Sequence, residues 1–191
     1  HLQPVQAAYL AWAFVTMGEA RDPGVQALLG AMEDELVLGG AQFGRPAPVI
    51  ALLWAYASAG RLSSRLFDAL APVVVTGADR LAAREVVRVL WAYAVAECDV
   101  EVKLEVFSAL EPAVHVQAGE LDPDELASVV WAFTSLGYDS VALFDTARQR
   151  IMSDALAAPS FEADALEAGV WAMTALHDYE NGGAIFTPPP S

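Results

Sequence analysis

Apolar residues in this chain recur at helical spacing. Around Trp54 they stand at Val49, Leu53, Tyr56 and Ala59, which are offsets of −5, −1, +2 and +5 from the tryptophan. The same offsets from the other four tryptophans are again apolar: Ala7, Ala11, Phe14 and Met17 around Trp12; Val86, Leu90, Tyr93 and Ala96 around Trp91; Leu126, Val130, Phe133 and Leu136 around Trp131; Leu166, Val170, Met173 and Leu176 around Trp171. These offsets track one face of a 3.6-residue helix. They predict helices, here termed A, near 5–17, 47–59, 81–96, 123–136 and 162–176. A second apolar segment follows the first four of these, carrying Leu28, Leu29, Met32 and Leu36, then Leu66, Phe67 and Leu70, then Val106, Phe107 and Leu110, then Leu143, Phe144, Ala147 and Ile151. It predicts B helices near 23–37, 63–75, 100–116 and 140–157. Nothing alternates with period two over any length, and the Val73-Val74-Val75 run is read as the end of a B helix.

All five tryptophans fall in one short motif: Trp12-Ala13-Phe14, Trp54-Ala55-Tyr56, Trp91-Ala92-Tyr93, Trp131-Ala132-Phe133 and Trp171-Ala172-Met173, spaced by 42, 37, 40 and 40 residues. Phe43, Leu81, Leu121 and Phe161 recur ten or eleven residues ahead of it. Fixed spacing of this kind marks a tandem array whose units bury their faces only by stacking. The reading is an all-α fold: an α-solenoid of about 4.5 helix-hairpin repeats over residues 1–176, with units near 1–40, 41–78, 79–118, 119–158 and 159–176. The tryptophans and the alanines after them (Ala13, Ala55, Ala92, Ala132, Ala172) are read as its packing core, the small residue letting helices approach closely.

Local signals support the boundaries. Gly18, Gly60 and Gly137 stand six places after a tryptophan, where a left-handed C-cap closes a helix, whereas Glu97 and His177 occupy that place in the other two units. Asp22-Pro23 and Asp122-Pro123 read as an N-cap followed by a first-turn proline, Asp122 with Glu125 as a capping box, and Ser63 and Asp139 as further caps. The fifth unit has no B helix: residues 177–191 form a tail rich in glycine and proline. Ile185 and Phe186 in that tail are candidate contacts, either folding back on the last A helix or meeting a partner.

The Trp-Ala-aromatic triplet, the glycine six places on, the Leu-Phe pair of helix B and the period resemble the octotricopeptide repeats of algal organelles. They also resemble the heptatricopeptide repeats of RAP-domain proteins. Val49–Leu70 and Leu126–Phe144 match best, and the likeness reaches about Leu176. The resemblance implies an organelle, chloroplast or mitochondrion, and in that family usually the binding of single-stranded RNA for maturation, stability or translation. No RAP domain follows these repeats.

Charge changes this picture. There are 25 acidic and 10 basic residues, a formal net charge of −15, which repels phosphate backbones at long range. The best basic feature is Arg80, Arg84 and Arg88, four apart on the third A helix; it is a candidate anion or RNA contact, although Glu85 is placed to pair with Arg88. Glu33-Asp34-Glu35 and the group Glu97, Asp99, Glu101 and Glu105 suit a basic protein partner, or simply a solvated surface. No catalytic constellation emerges. His1, His115 and His177 are scattered, Gly39-Gly40 and Gly182-Gly183 lack the rest of a phosphate-loop motif, and Cys98 lies between Glu97 and Asp99, which raise a thiol's pKa. No cofactor or metal is expected, and no apolar run is long enough for a transmembrane segment. His1 is not an initiator methionine, so the chain is read as lacking a removed leader or as part of something longer. The functional expectation is a non-catalytic scaffold or peripheral subunit, soluble or peripheral in an organelle, that contacts other protein subunits of a large assembly. Organellar RNA binding is the alternative.

Overall fold

The computed structural model describes residues 3–39, 43–138 and 140–157. Among them are eight α-helices and no strand: α1 (Pro4–Thr16), α2 (Pro23–Leu38), α3 (Pro46–Ser58), α4 (Ser64–Gly77), α5 (Ala83–Val95), α6 (Val100–Gln117), α7 (Pro123–Ser135) and α8 (Val141–Ala157). The valine run 73–75 lies inside α4. The A helix near 162–176, with Trp171 and Ala172, and the tail with Ile185 and Phe186 lie outside the described residues, as does Asp139.

Consecutive helices pack in pairs, α1 with α2, α3 with α4, α5 with α6 and α7 with α8. Each A helix also packs on the next A helix (α1 on α3, α3 on α5, α5 on α7), and each B helix on the next B helix (α2 on α4, α4 on α6, α6 on α8). The result is an A row beside a B row, with one apolar cluster running between them through all four pairs. The −5 and −1 positions are buried in every described unit, as are Phe43, Leu81 and Leu121 in the loops. The +2 ring fills the space between rows: Tyr56, Tyr93 and Phe133 are fully buried. Tyr56 Oη donates to the Leu29 carbonyl at 2.7 Å, and Tyr93 Oη to the Phe67 carbonyl at 2.8 Å, so each A helix is pinned to the B helix before it. Phe133 has no hydroxyl; its ring instead meets Phe107 at 4.9 Å between centroids.

The tryptophans correct the sequence reading in part. Among those described, Trp131 is buried, at 4% exposure; Trp54 and Trp91 are half-buried and pack against the core, and Trp12 is 38% exposed. The reason is helical phase. A residue at offset 0 lies nearly opposite the centre of a face defined by −5, −1, +2 and +5 when each residue turns by about 100°. The alanines at +1 do sit inside, with Ala55, Ala92 and Ala132 fully buried where neighbouring A helices touch, while Ala13 on the first helix is half-buried.

Glycine sets how three A helices end. Gly18, Gly60 and Gly137 have φ of 85°, 70° and 63°. In each case the next residue's amide reaches back to the carbonyl at the +2 position (Glu19 to Phe14, Arg61 to Tyr56, Tyr138 to Phe133), closing a Schellman turn. In the third unit, where Glu97 replaces glycine, Ala96 leaves the helix in extended conformation and the Glu97 amide bonds the Leu62 carbonyl of the preceding unit at 3.1 Å. A Cβ on Gly60 would meet nothing within 4 Å, so Gly60→Ala suffers from its φ alone. We expect it to lower the unfolding free energy by about 1–2 kcal/mol in denaturant titration, from the cost of a left-handed alanine.

Candidate functional site

Two sets of side chains stand out once the rows are in place. The first is a set of carboxylates that join one unit to the next. Glu33 on α2 accepts the Ser63 hydroxyl and lies 3.3 Å from Arg61 Nη2. Two units on, Glu111 on α6 accepts the Ser140 hydroxyl and the Tyr138 Oη–H, the latter at 3.0 Å. The partners occupy matching places in their repeats, so the same latch is built twice. At the middle junction the matching places are Ala71 and Lys103. There Asp68, one turn earlier on α4, stands near the Asp99 backbone; burial raises its pKa above the usual range, and its Oδ1 has no hydrogen-bond partner among the described residues. Ser63 therefore does not cap its own helix as expected; its hydroxyl is committed to the preceding unit. In the Glu33-Asp34-Glu35 cluster, Glu33 faces Arg61, while the exposed Asp34 pairs with the exposed Arg65 at 3.1 Å. Asp22 and Asp122 do cap, the latter in a capping box with Glu125.

Cys98 lies in the middle junction, buried. Burial is the main cause that pushes its thiol up to about 11; the Asp68 charge adds to the rise and Lys103 opposes it. We expect a thiol-disulfide reagent at neutral pH to react with the folded protein at least about ten-fold more slowly than with the same chain in denaturant.

The second set is the outer face of the A row. Positions −7, −3, 0 and +4 from the tryptophan share it: Val5, Tyr9, Trp12 and Thr16 on α1; Ala47, Ala51, Trp54 and Ser58 on α3; Arg84, Arg88, Trp91 and Val95 on α5; Asp124, Ser128, Trp131 and Ser135 on α7. Tyr9 is 49% exposed beside Trp12. Neither α1 nor α3 carries a single charged side chain. Most of the acidic residues sit in the loops and on the B row, where α6 alone holds Glu101, Glu105 and Glu111; the A row carries Glu85, Asp124 and Glu125.

The three arginines do not form one stripe. Arg80 lies in a 3₁₀ turn, Ala78–Arg80, and Leu81 and Ala82 are extended before α5 begins. Arg80 reaches Asp79 at 3.7 Å and the Thr76 carbonyl at 3.4 Å. Arg84 is 71% exposed but ion-paired with Glu125 of α7 at 2.9 Å. Arg88 is exposed on the tryptophan face. Glu85 does not pair with it; its carboxylate accepts the Ala82 amide at 3.0 Å, capping α5.

Among the described residues, no three His, Cys, Asp or Glu side chains come close enough to hold a metal ion, and no helix is long and apolar enough to cross a membrane. His115 lies 3.8 Å from Glu111, at the rim of the second latch. Sequence reasoning missed both latches and the outward aspect of Trp12; the recurrence of Glu33 and Glu111 at matching repeat positions was the signal for the first. No family model, curated protein or solved structure matches this chain.

Proposed function

We propose that this chain is an α-solenoid that works without catalysis, as a scaffold or peripheral subunit holding other proteins of a larger organellar assembly, and that the outer face of its A row is where it does so. One observation carries the reading. Trp12 with Tyr9 stands exposed on a face that carries no charge over two successive A helices, α1 and α3. Aromatic side chains on an uncharged surface are what the buried centre of a protein interface uses, and contiguous exposed apolar surface marks such contacts. The organellar setting is supported by the resemblance to octotricopeptide repeats.

The RNA alternative has one specific feature in its favour. Arg88 stands on the same face as Trp91, three residues away, and stacking rings beside a guanidinium suit single-stranded nucleic acid. Against it, Asp124 lies on that face, and Arg84 is already paired with Glu125.

The test is a photo-crosslinking residue at position 9, used in source-cell extract with and without RNase. The expected result is a discrete protein adduct that persists after RNase and is lost with Ala47→Glu. Ala47 is exposed in the first turn of α3, where a glutamate suits the helix dipole, so the variant is expected to melt as the parent does. An RNA adduct that disappears with Arg88→Glu would establish the alternative, and no adduct of either kind would remove the A-row face as the binding surface.

A further inference from the structure

A cleft of about 280 Å³ opens between the loop that enters α3 and the second half of α4. Phe43, Pro46 and Pro72 give it apolar walls, and Arg45, Arg80 and Thr76 give it polar ones. Among the described residues, no carboxylate lines it. Two of the chain's 10 basic residues thus line one cleft, with Asp79 the one acid beside it, 3.7 Å from Arg80. Arg45 occupies the N-cap position of α3 but its side chain caps nothing, and it has no ion pair among the described residues. Arg80 is held only by the long contacts to Asp79 and Thr76 given above, both of which an anion can displace.

The repeats supply an internal control. The residue before α5 that matches Arg45 is Ala82, and the residue that matches Arg80 is Glu120 at the end of the 3₁₀ turn after α6. Pro72 recurs as Pro112, and Phe43 as the apolar Leu81. The third unit thus keeps the apolar positions and has neither arginine, so packing of the fold does not call for them.

We propose that this cleft binds a phosphate monoester carrying a flat ring, the phosphate held between Arg45 and Arg80 and the ring laid against Pro46 and Pro72. Guanidinium groups present paired N–H donors that match phosphate oxygens. The volume is at the small end for ligand sites, enough for a phosphate and one ring system. A mononucleotide and a phosphotyrosine side chain share this chemistry. The site is separate from the A-row face and does not depend on that face's role.

The experiment is calorimetric titration of the 191-residue chain with AMP and with O-phosphotyrosine, using adenosine and tyrosine as ring-only controls. Saturable binding of a phosphate form is expected, absent for the ring-only forms and weakened about ten-fold or more by Arg45→Ala and by Arg80→Ala. Arg65→Ala, an exposed arginine elsewhere on the surface, is expected to change nothing. Arg45 and Arg80 are exposed, so unchanged melting curves will show that the variants are folded. Preference for AMP or for phosphotyrosine identifies the source. Failure of both phosphates to bind saturably, binding that survives the double variant Arg45→Ala/Arg80→Ala, or equal weakening by Arg65→Ala would each overturn the proposal.

Discussion

Tyr93→Ala is expected to lower the unfolding free energy by about 3–5 kcal/mol, the range for removing a large buried ring. Tyr93 is fully buried and packs edge-on against Phe67, with centroids 5.3 Å apart. Its hydroxyl donates to the Phe67 carbonyl, joining the third A helix to the second B helix. The ring sits mid-array, so both flanking units lose contacts together and the cavity cannot close by collapse of an end. Tyr93→Phe separates the two contributions and is expected to cost about 1 kcal/mol, the usual net worth of a hydrogen bond. Trp12→Ala, by contrast, is expected to cost about 1 kcal/mol or less, because the ring is largely at the surface. Denaturant titration of the three variants checks the set. A larger loss for Trp12→Ala than for Tyr93→Ala would overturn the assignment of the +2 ring, rather than the tryptophan, as the centre of the repeat.

Glu111→Ala carries the next largest effect. It removes the acceptor shared by the Tyr138 and Ser140 hydroxyls, and Ser140 is buried. Hydrogen bonds to a charged group are worth about 1.5–3 kcal/mol each, and a buried donor left without an acceptor adds a desolvation cost. Glu111 keeps partial exposure, which lets water replace some of the loss, so about 2–3 kcal/mol is expected. The loss should be local. Each unit of an array contacts only its neighbours, so hydrogen exchange should quicken in α7 and α8 while α1 and α3 remain protected. Glu111→Gln keeps an acceptor and is expected to recover most of the stability. Uniform quickening along the chain would instead mean that the units do not open separately.

Helix positions were legible because two independent signals coincide: the 3.6-residue phase of the apolar positions and the glycines that end three A helices. Where the glycine is missing, at Glu97, the path of the chain was not legible, because its amide finds the Leu62 carbonyl of another unit. Ser63 misled for a similar reason: a serine ahead of a helix reads as a cap unless the neighbouring Glu33 is known to compete for its hydroxyl. The tryptophans misled only in part. Their size and recurrence pointed to the core, and Trp131 is there; the phase of the surrounding apolar residues leaves Trp54 and Trp91 at its edge and Trp12 exposed. Arg80, Arg84 and Arg88 have helical spacing, but the 3₁₀ turn and the extended Leu81 and Ala82 part the first from the others. The cleft was out of reach, since Arg45 and Arg80 are distant in sequence and meet only after α3 and α4 pair.

Because α1 and α3 carry no charged side chain while the loops and the B row hold most of the acids, a partner of the A-row face would arrive without electrostatic guidance. Association there should run at the unsteered rate of about 10⁵–10⁶ M⁻¹s⁻¹ and change little with ionic strength. A basic protein would be drawn first to the opposite side of the molecule. The distribution of charge thus separates what the chain attracts at a distance from what it holds on contact.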